Sequence, residues 1–170
     1  MENEKSIVTD EITLTKNKIL ILGAGNLLRK DDGIGSYIVQ ELEKLNLPEG
    51  VKAVDVGTKG LALVDMMREA AKVLFVDAVE MGKKAGTVKV FSRKEILIDT
   101  DKREVSLHEA GLAQLICLAS ILGISPELTV VGIQPKDMGW GTDLSPELKE
   151  AVPAILDCVL SETKKHYFGS

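Results

Sequence analysis

Ile19-Leu20-Ile21-Leu22 is an unbroken aliphatic run of strand length, and it leads directly into a turn bounded by Gly25 and by Gly33-Ile34-Gly35. A short apolar run of this kind fits a strand buried on both faces of a parallel sheet. After the turn, Ile34, Ile38, Val39 and Leu42 fall on one helical face. The turn carries Asp31 and Asp32, so it places two carboxylates where a strand hands over to a helix. In open α/β sheets such junctions, at the carboxyl ends of parallel strands, are where ligands bind.

The rest of the chain repeats this alternation. Val51 to Val56 predicts a second strand, and Leu61, Val64 and Met67 start a short helix after Gly57-Thr58-Lys59-Gly60. Val73-Leu74-Phe75-Val76 is a third buried strand that ends at Asp77. Thr87 to Phe91 alternates apolar and polar residues, as an antiparallel edge strand would. A helix from Glu109 to Leu122, closed by Gly123, is apolar nearly all round and is expected to be largely buried. Leu128 to Ile133 is the last strand. Leu148, Ala151, Val152, Ile155, Leu156, Val159 and Leu160 then trace an amphipathic helix, with Ser145 as its N-cap and Pro146 at its first position. Pro153 inside that helix removes a backbone donor and is expected to kink it.

This pattern predicts an α/β three-layer sandwich: a mostly parallel twisted sheet of about five strands with helices on both faces. Residues 1–16 read as a flexible N-terminal extension, 17–163 as a single α/β domain and 164–170 as a polar C-terminal tail. With 21 basic against 26 acidic residues, the net charge of -5 argues against an electrostatic grip on nucleic acid or an anionic membrane. The polar start and the lack of a long apolar stretch point to the cytoplasm. Cys117 and Cys158 both lie in apolar helical patterns and read as buried small side chains.

Several active-site signatures are absent: G-x-S-x-G, H-E-x-x-H and the G-x-x-x-x-G-K-[ST] phosphate loop. Gly23-Ala24-Gly25 begins like a dinucleotide fingerprint, but Leu28 stands at the third glycine position. What remains is a polar set at the expected carboxyl edge of the sheet: Asp31 and Asp32, Asp55 and Thr58, Asp77, and His108 at the opening of the apolar helix. Asp31 reads as a cap for the helix that follows it. Neighbouring strand ends lie only about 5 Å apart, so carboxylates from the first and third strands can converge with an imidazole. Two carboxylates and one imidazole suit a divalent transition metal with open coordination positions.

At these residues the chain resembles the hydrogenase maturation endopeptidases, which trim the C-terminal extension from the precursor of a [NiFe]-hydrogenase large subunit once nickel is in place. The resemblance rests on an ordered series: Gly25-Asn26-Leu27-Leu28 with Asp31-Asp32-Gly33-Ile34-Gly35, then Asp55-Val56-Gly57-Thr58, Val76-Asp77-Ala78, His108-Glu109 and Gly132-Ile133-Gln134-Pro135. It implies that Asp32, Asp77 and His108 form both the metal site and the catalytic site, with Asp55 as a supporting residue. Asp55 is followed by Val56 where glycine is commoner in the family, and Asp32 stands where some members have glutamate. The resemblance further implies nickel supplied by the substrate, weak binding of other divalent metals, and the large-subunit precursor as partner. A non-catalytic nickel chaperone or checkpoint protein for hydrogenase assembly would need the same three ligands and is the alternative. A nucleotide-binding enzyme using Gly23-Ala24-Gly25 and Asp55 is a further one.

Overall fold

The computed structural model describes residues 18–56, 62–95 and 111–168. Its elements, in chain order, are β1 (Ile19–Gly23), a single 3-10 turn (Lys30–Gly33), α1 (Ile34–Glu43), β2 (Val51–Asp55), α2 (Ala62–Arg68), β3 (Lys72–Ala78), β4 (Val88–Ser92), α3 (Gly111–Ile121), β5 (Glu127–Ile133) and α4 (Pro146–Phe168). The strands form one sheet in the order β2-β1-β3-β5-β4. Every pairing is parallel except that of β4 with β5. The alternating residues of β4 thus end up on an antiparallel edge, as their pattern requires.

Side-chain alternation along the strands sorts the core into two halves. Leu20, Leu22, Val73, Phe75, Leu128 and Val130 turn to one face, where Leu63, Val64 and Met67 of α2 and Ile116 and Ala119 of α3 cover them. Ile19, Ile21, Leu74, Val76, Val131 and Ile133 turn to the other, against Ile34, Ile38 and Leu42 of α1 and Leu148, Ile155 and Val159 of α4. Two helices on each face make the three layers. Among the described residues, no helix is long and apolar enough to cross a membrane.

Some local expectations need correction. Helix α3 is not sunk in the core: Ile121 is 74% exposed, and Cys117 and Leu122 are also on the surface. Its apolar sequence runs round the helix, whereas among its described side chains Ile116 and Ala119 are buried against the sheet and Leu115 and Leu118 are partly buried there. Cys158 is partly buried, on α4. Pro153 lies on the exposed side of α4, inside the helix that runs from Pro146 to Phe168. The N-terminal extension at 1–16, Thr58 and His108 lie outside the described residues.

The strand order reverses beside β1. From β1 the chain passes through α1 to β2 on one side, then through α2 to β3 on the other. The crevice beyond the carboxyl ends of β1 and β3 is therefore the topological switch point of the sheet. Helix α1 is drawn tightly over these ends. A methyl group on Gly35 would sit 2.1 Å from the Val76 carbonyl oxygen and 2.2 Å from that of Ala24. Only a residue without a side chain permits this approach.

We therefore expect Gly35→Ala to lower stability by about 3 kcal/mol in urea denaturation, because backbone rather than a flexible side chain must yield. Gly82→Ala is the control. Gly82 has φ +62° but nothing within 4 Å of an added methyl, so backbone strain alone should cost about 1 kcal/mol there.

Candidate active site at the switch point

Asp32 and Asp77 flank the switch point, and each is 1% exposed. Asp77 is the penultimate residue of β3, facing Gly132 of β5 in register. Its Oδ1 accepts the N–H of Ala78 at 2.8 Å. Asp32 lies in the 3-10 turn after β1, and its Oδ2 accepts the N–H of Asn26 at 3.2 Å. In both residues a backbone donor fixes one carboxylate oxygen. The turn around Asp32 closes on itself, because Arg29 N–H donates to the Asn26 carbonyl (2.9 Å) and Asp32 N–H to that of Arg29 (3.0 Å). Gly25, at φ +141°, lets the chain fold back so closely that an added methyl would lie 1.9 Å from the Asp32 carbonyl oxygen.

Alternation along β3 turns Val76 toward α1 and α4 and Asp77 toward the layer of α2 and α3. Helix α3 ends near the amino edge of the sheet, where Ile124 N–H donates to Ala119 O and Glu127 N–H to Ala71 O. Its first residue, Gly111, is therefore at the carboxyl edge, on the side of Asp77. His108 precedes Gly111 by three residues in the sequence and is itself outside the described residues. Asp55, the last residue of β2, is turned instead toward α1, where Ser36 Oγ donates to its Oδ1 at 2.9 Å. That bond ties the first turn of α1 to the end of β2. No group of three metal-binding side chains is complete among the described residues.

Asp31 does not cap the helix that follows it. Fully buried, it reaches across to the segment between β5 and α4. Its Oδ2 accepts N–H bonds from Lys136 and Asp137, both at 2.9 Å, and the Ser145 hydroxyl at 2.8 Å. Its Oδ1 accepts the Ser145 N–H at 2.7 Å. The carboxylate thus lies at the amino end of α4, where the helix dipole favours negative charge. Ser145, expected as an N-cap, directs its hydroxyl to Asp31. Lys30 pairs with Asp137, and this contact, with a further N–H bond from Gly139, holds the Asp137 carboxyl below its usual range.

Gln134, beyond β5, has a comparable role that its sequence context did not disclose. Its Oε1 accepts the N–H groups of Met81 (2.7 Å) and Lys83 (3.1 Å), and its Nε2 donates to Glu80 and to the Pro135 carbonyl. It thereby fixes the loop that leaves β3 just after Asp77. The dinucleotide reading fails on geometry: α1 starts only at Ile34, after a separate 3-10 turn, and Leu28 is exposed rather than packed under a helix. Neither cysteine is placed as a nucleophile. Burial pushes the Cys158 thiol up, away from thiolate, and Cys117 lies on the outer side of α3.

A model of the hydrogenase maturation protease family matches residues 36–162. The chain belongs to that family. It is 35% identical over 144 residues to the hydrogenase expression/formation protein HupD of Bradyrhizobium diazoefficiens, covering 83% of this chain and 75% of that one. It is 32% identical over 152 residues to the hydrogenase 2 maturation protease of Escherichia coli, covering 87% and 92%. Among solved structures, the hydrogenase maturating endopeptidase HybD from E. coli aligns with a TM-score of 0.77 at 31% identity, covering 87% of this chain and 93% of that one. The [NiFe] hydrogenase maturation protease HybD from Thermococcus kodakarensis aligns at 0.70 and 28% identity, covering 86% and 99%. In this hydrogenase maturation protease, Asp32 precedes the matched span by four residues, while Asp55, Asp77 and His108 fall inside it.

Removing the Asp31 carboxylate would strand three backbone N–H groups and one hydroxyl. Asp31→Ala should therefore cost about 3 kcal/mol or more in urea denaturation. Amide hydrogen exchange should accelerate at residues 136–145 more than in β1 or β3. Uniform acceleration across the sheet would show that Asp31 serves the whole fold rather than this segment.

Proposed function

We propose that this protein is a nickel-dependent endopeptidase that removes the C-terminal extension of a [NiFe]-hydrogenase large-subunit precursor after nickel has been inserted. Membership of the family supports a peptide-bond hydrolase. The observation that carries the finer reading is the pair of buried carboxylates, Asp32 and Asp77, held at the switch point with one oxygen of each oriented by a backbone N–H. Ligating side chains are commonly fixed by such outer hydrogen bonds.

Two carboxylates and the imidazole of His108 form a hard-to-borderline donor set that fits a divalent ion such as nickel. In this reading Asp32, Asp77 and His108 receive the nickel that the precursor brings, and the ion when bound supplies Lewis acidity at the scissile peptide. Three ligands leave coordination positions for water and for groups of the precursor. Burial of both carboxylates keeps bulk water from competing for them, and the Ser36–Asp55 bond holds α1 and β2 in place beside them. Such an open set binds metal less tightly than a closed four-ligand site, so the enzyme alone should hold nickel, or other divalent ions, weakly.

The expected outcome is that nickel-loaded precursor is shortened and nickel-free precursor is not, even with excess enzyme, as read by intact mass. Loading the same nickel-free preparation should restore cleavage. His108→Ala should abolish cleavage while leaving the melting temperature unchanged. Efficient cutting of a rigorously metal-free precursor would refute nickel dependence. Nickel-dependent binding without any shortening would assign the protein to assembly checkpointing instead.

A further inference from the structure

The buried Asp31 tie presses the 136–143 segment against the 26–32 turn, and the two together display an apolar surface beside the candidate site. Gly141 N–H donates to Leu28 O at 2.9 Å, and Lys30 N–H to Gly141 O at 2.8 Å. On this paired backbone stand Trp140, 78% exposed, Leu28, 60% exposed, and Leu27, 39% exposed. Arg29 lies among them. Its guanidinium carbon is 5.7 Å from the Trp140 ring centroid, and its Nε and one terminal nitrogen donate to the Met138 carbonyl at 3.2 and 3.0 Å.

Two properties mark this surface as more than incidental exposure. Its backbone and its arginine are tied internally: Leu28 N–H donates to Asn26 Oδ1 at 2.9 Å, and Arg29 contacts both the Met138 carbonyl and the Trp140 ring. A rigid display of Trp, Arg and Leu lowers the entropic cost of association, and Trp and Arg dominate binding hot spots. The second property is charge. Lys30, Lys136 and Lys149 pair with Asp137, Glu147 and Asp143, whereas Arg29 has no carboxylate partner among the described residues.

We propose that Leu27, Leu28, Arg29 and Trp140 form the docking surface for the precursor, gripping a segment of it that carries apolar side chains and a carboxylate for Arg29. This rests on the reading of the protein as a precursor-processing enzyme. The position of the patch favours that occupant over a second copy of the chain. Asn26 N–H bonds the Asp32 carboxylate, so the turn that displays Leu27 and Leu28 also borders the site. A precursor seated here therefore lies next to Asp32, whereas a second copy would compete with the substrate for the same border of the site.

Dissociation constants for the nickel-loaded large-subunit precursor, measured by biolayer interferometry alongside cleavage, test this. The variants are Trp140→Ala combined with Leu28→Asn, Arg29→Gln alone, and Ile121→Ser as an exposed apolar control on α3. All four positions are on the surface, and matching melting curves verify the fold. The double variant should bind roughly tenfold or more weakly. Arg29→Gln should weaken binding and flatten its dependence on ionic strength, and Ile121→Ser should bind as wild type does. Equal affinity of the double variant and wild type overturns the docking proposal while leaving the enzymatic reading intact if wild type cleaves. A wild type that neither binds nor cuts the loaded precursor overturns both. A wild-type dimer that the double variant converts to a monomer assigns the patch to a second copy and also overturns the proposal.

Discussion

The backbone of α1 lies against the ends of β1 and β3 with no room for a side chain at Gly23 or Gly35, where an added methyl would come within 2.2 Å and 2.1 Å of carbonyl oxygens. Much of the candidate site follows from that approach. It sets the 3-10 turn over the switch point and brings Ser36 within bonding distance of Asp55 at the end of β2. It also leaves Asp32 and Asp77 on two adjacent strand ends, since Ala24 N–H donates to Val76 O at 2.9 Å. A larger residue at either glycine would lift the helix and move one carboxylate away from the other.

Asp31 and Asp32 are neighbours with different work, and the turn geometry separates them. A 3-10 helix has about three residues per turn, so consecutive side chains diverge by roughly a third of a revolution. Asp31 is directed to the segment before α4, where it satisfies three N–H groups and a hydroxyl. Asp32 stays at the strand edge, with Asn26. A buried charge with four donors is well compensated, and it fixes the 136–143 segment without occupying the site. The same segment pairs by backbone with the turn that bears Leu28, through Gly141 N–H to Leu28 O.

Much of this was legible in the sequence. The aliphatic runs of β1, β3 and β5, the alternation of β4 and the stripe of α4 each reflect the surface their residues must meet, and the ordered motifs identified the family. The role of Asp31 was not legible, because its partners are more than a hundred residues away and no local pattern encodes a bond across that span. Gln134 escaped for the same reason: it stood in a matching motif, but the loop it holds lies about fifty residues earlier. Helix α3 misled because residues apolar on every side carry no directional signal, so its sequence could not say that Cys117, Ile121 and Leu122 face outward. Asp55 was legible as an edge carboxylate, but not as the partner of Ser36.

In the proposed mechanism Asp32, Asp77 and His108 share one metal ion at the switch point. Crystals soaked in nickel and measured at its absorption edge would locate that ion. One anomalous peak is expected beyond the ends of β1 and β3, with a carboxylate oxygen of Asp32, one of Asp77 and an imidazole nitrogen of His108 each at about 2.0 to 2.2 Å, as for zinc-like coordination. A peak elsewhere, or a His108 ring directed away from the two carboxylates, would contradict it.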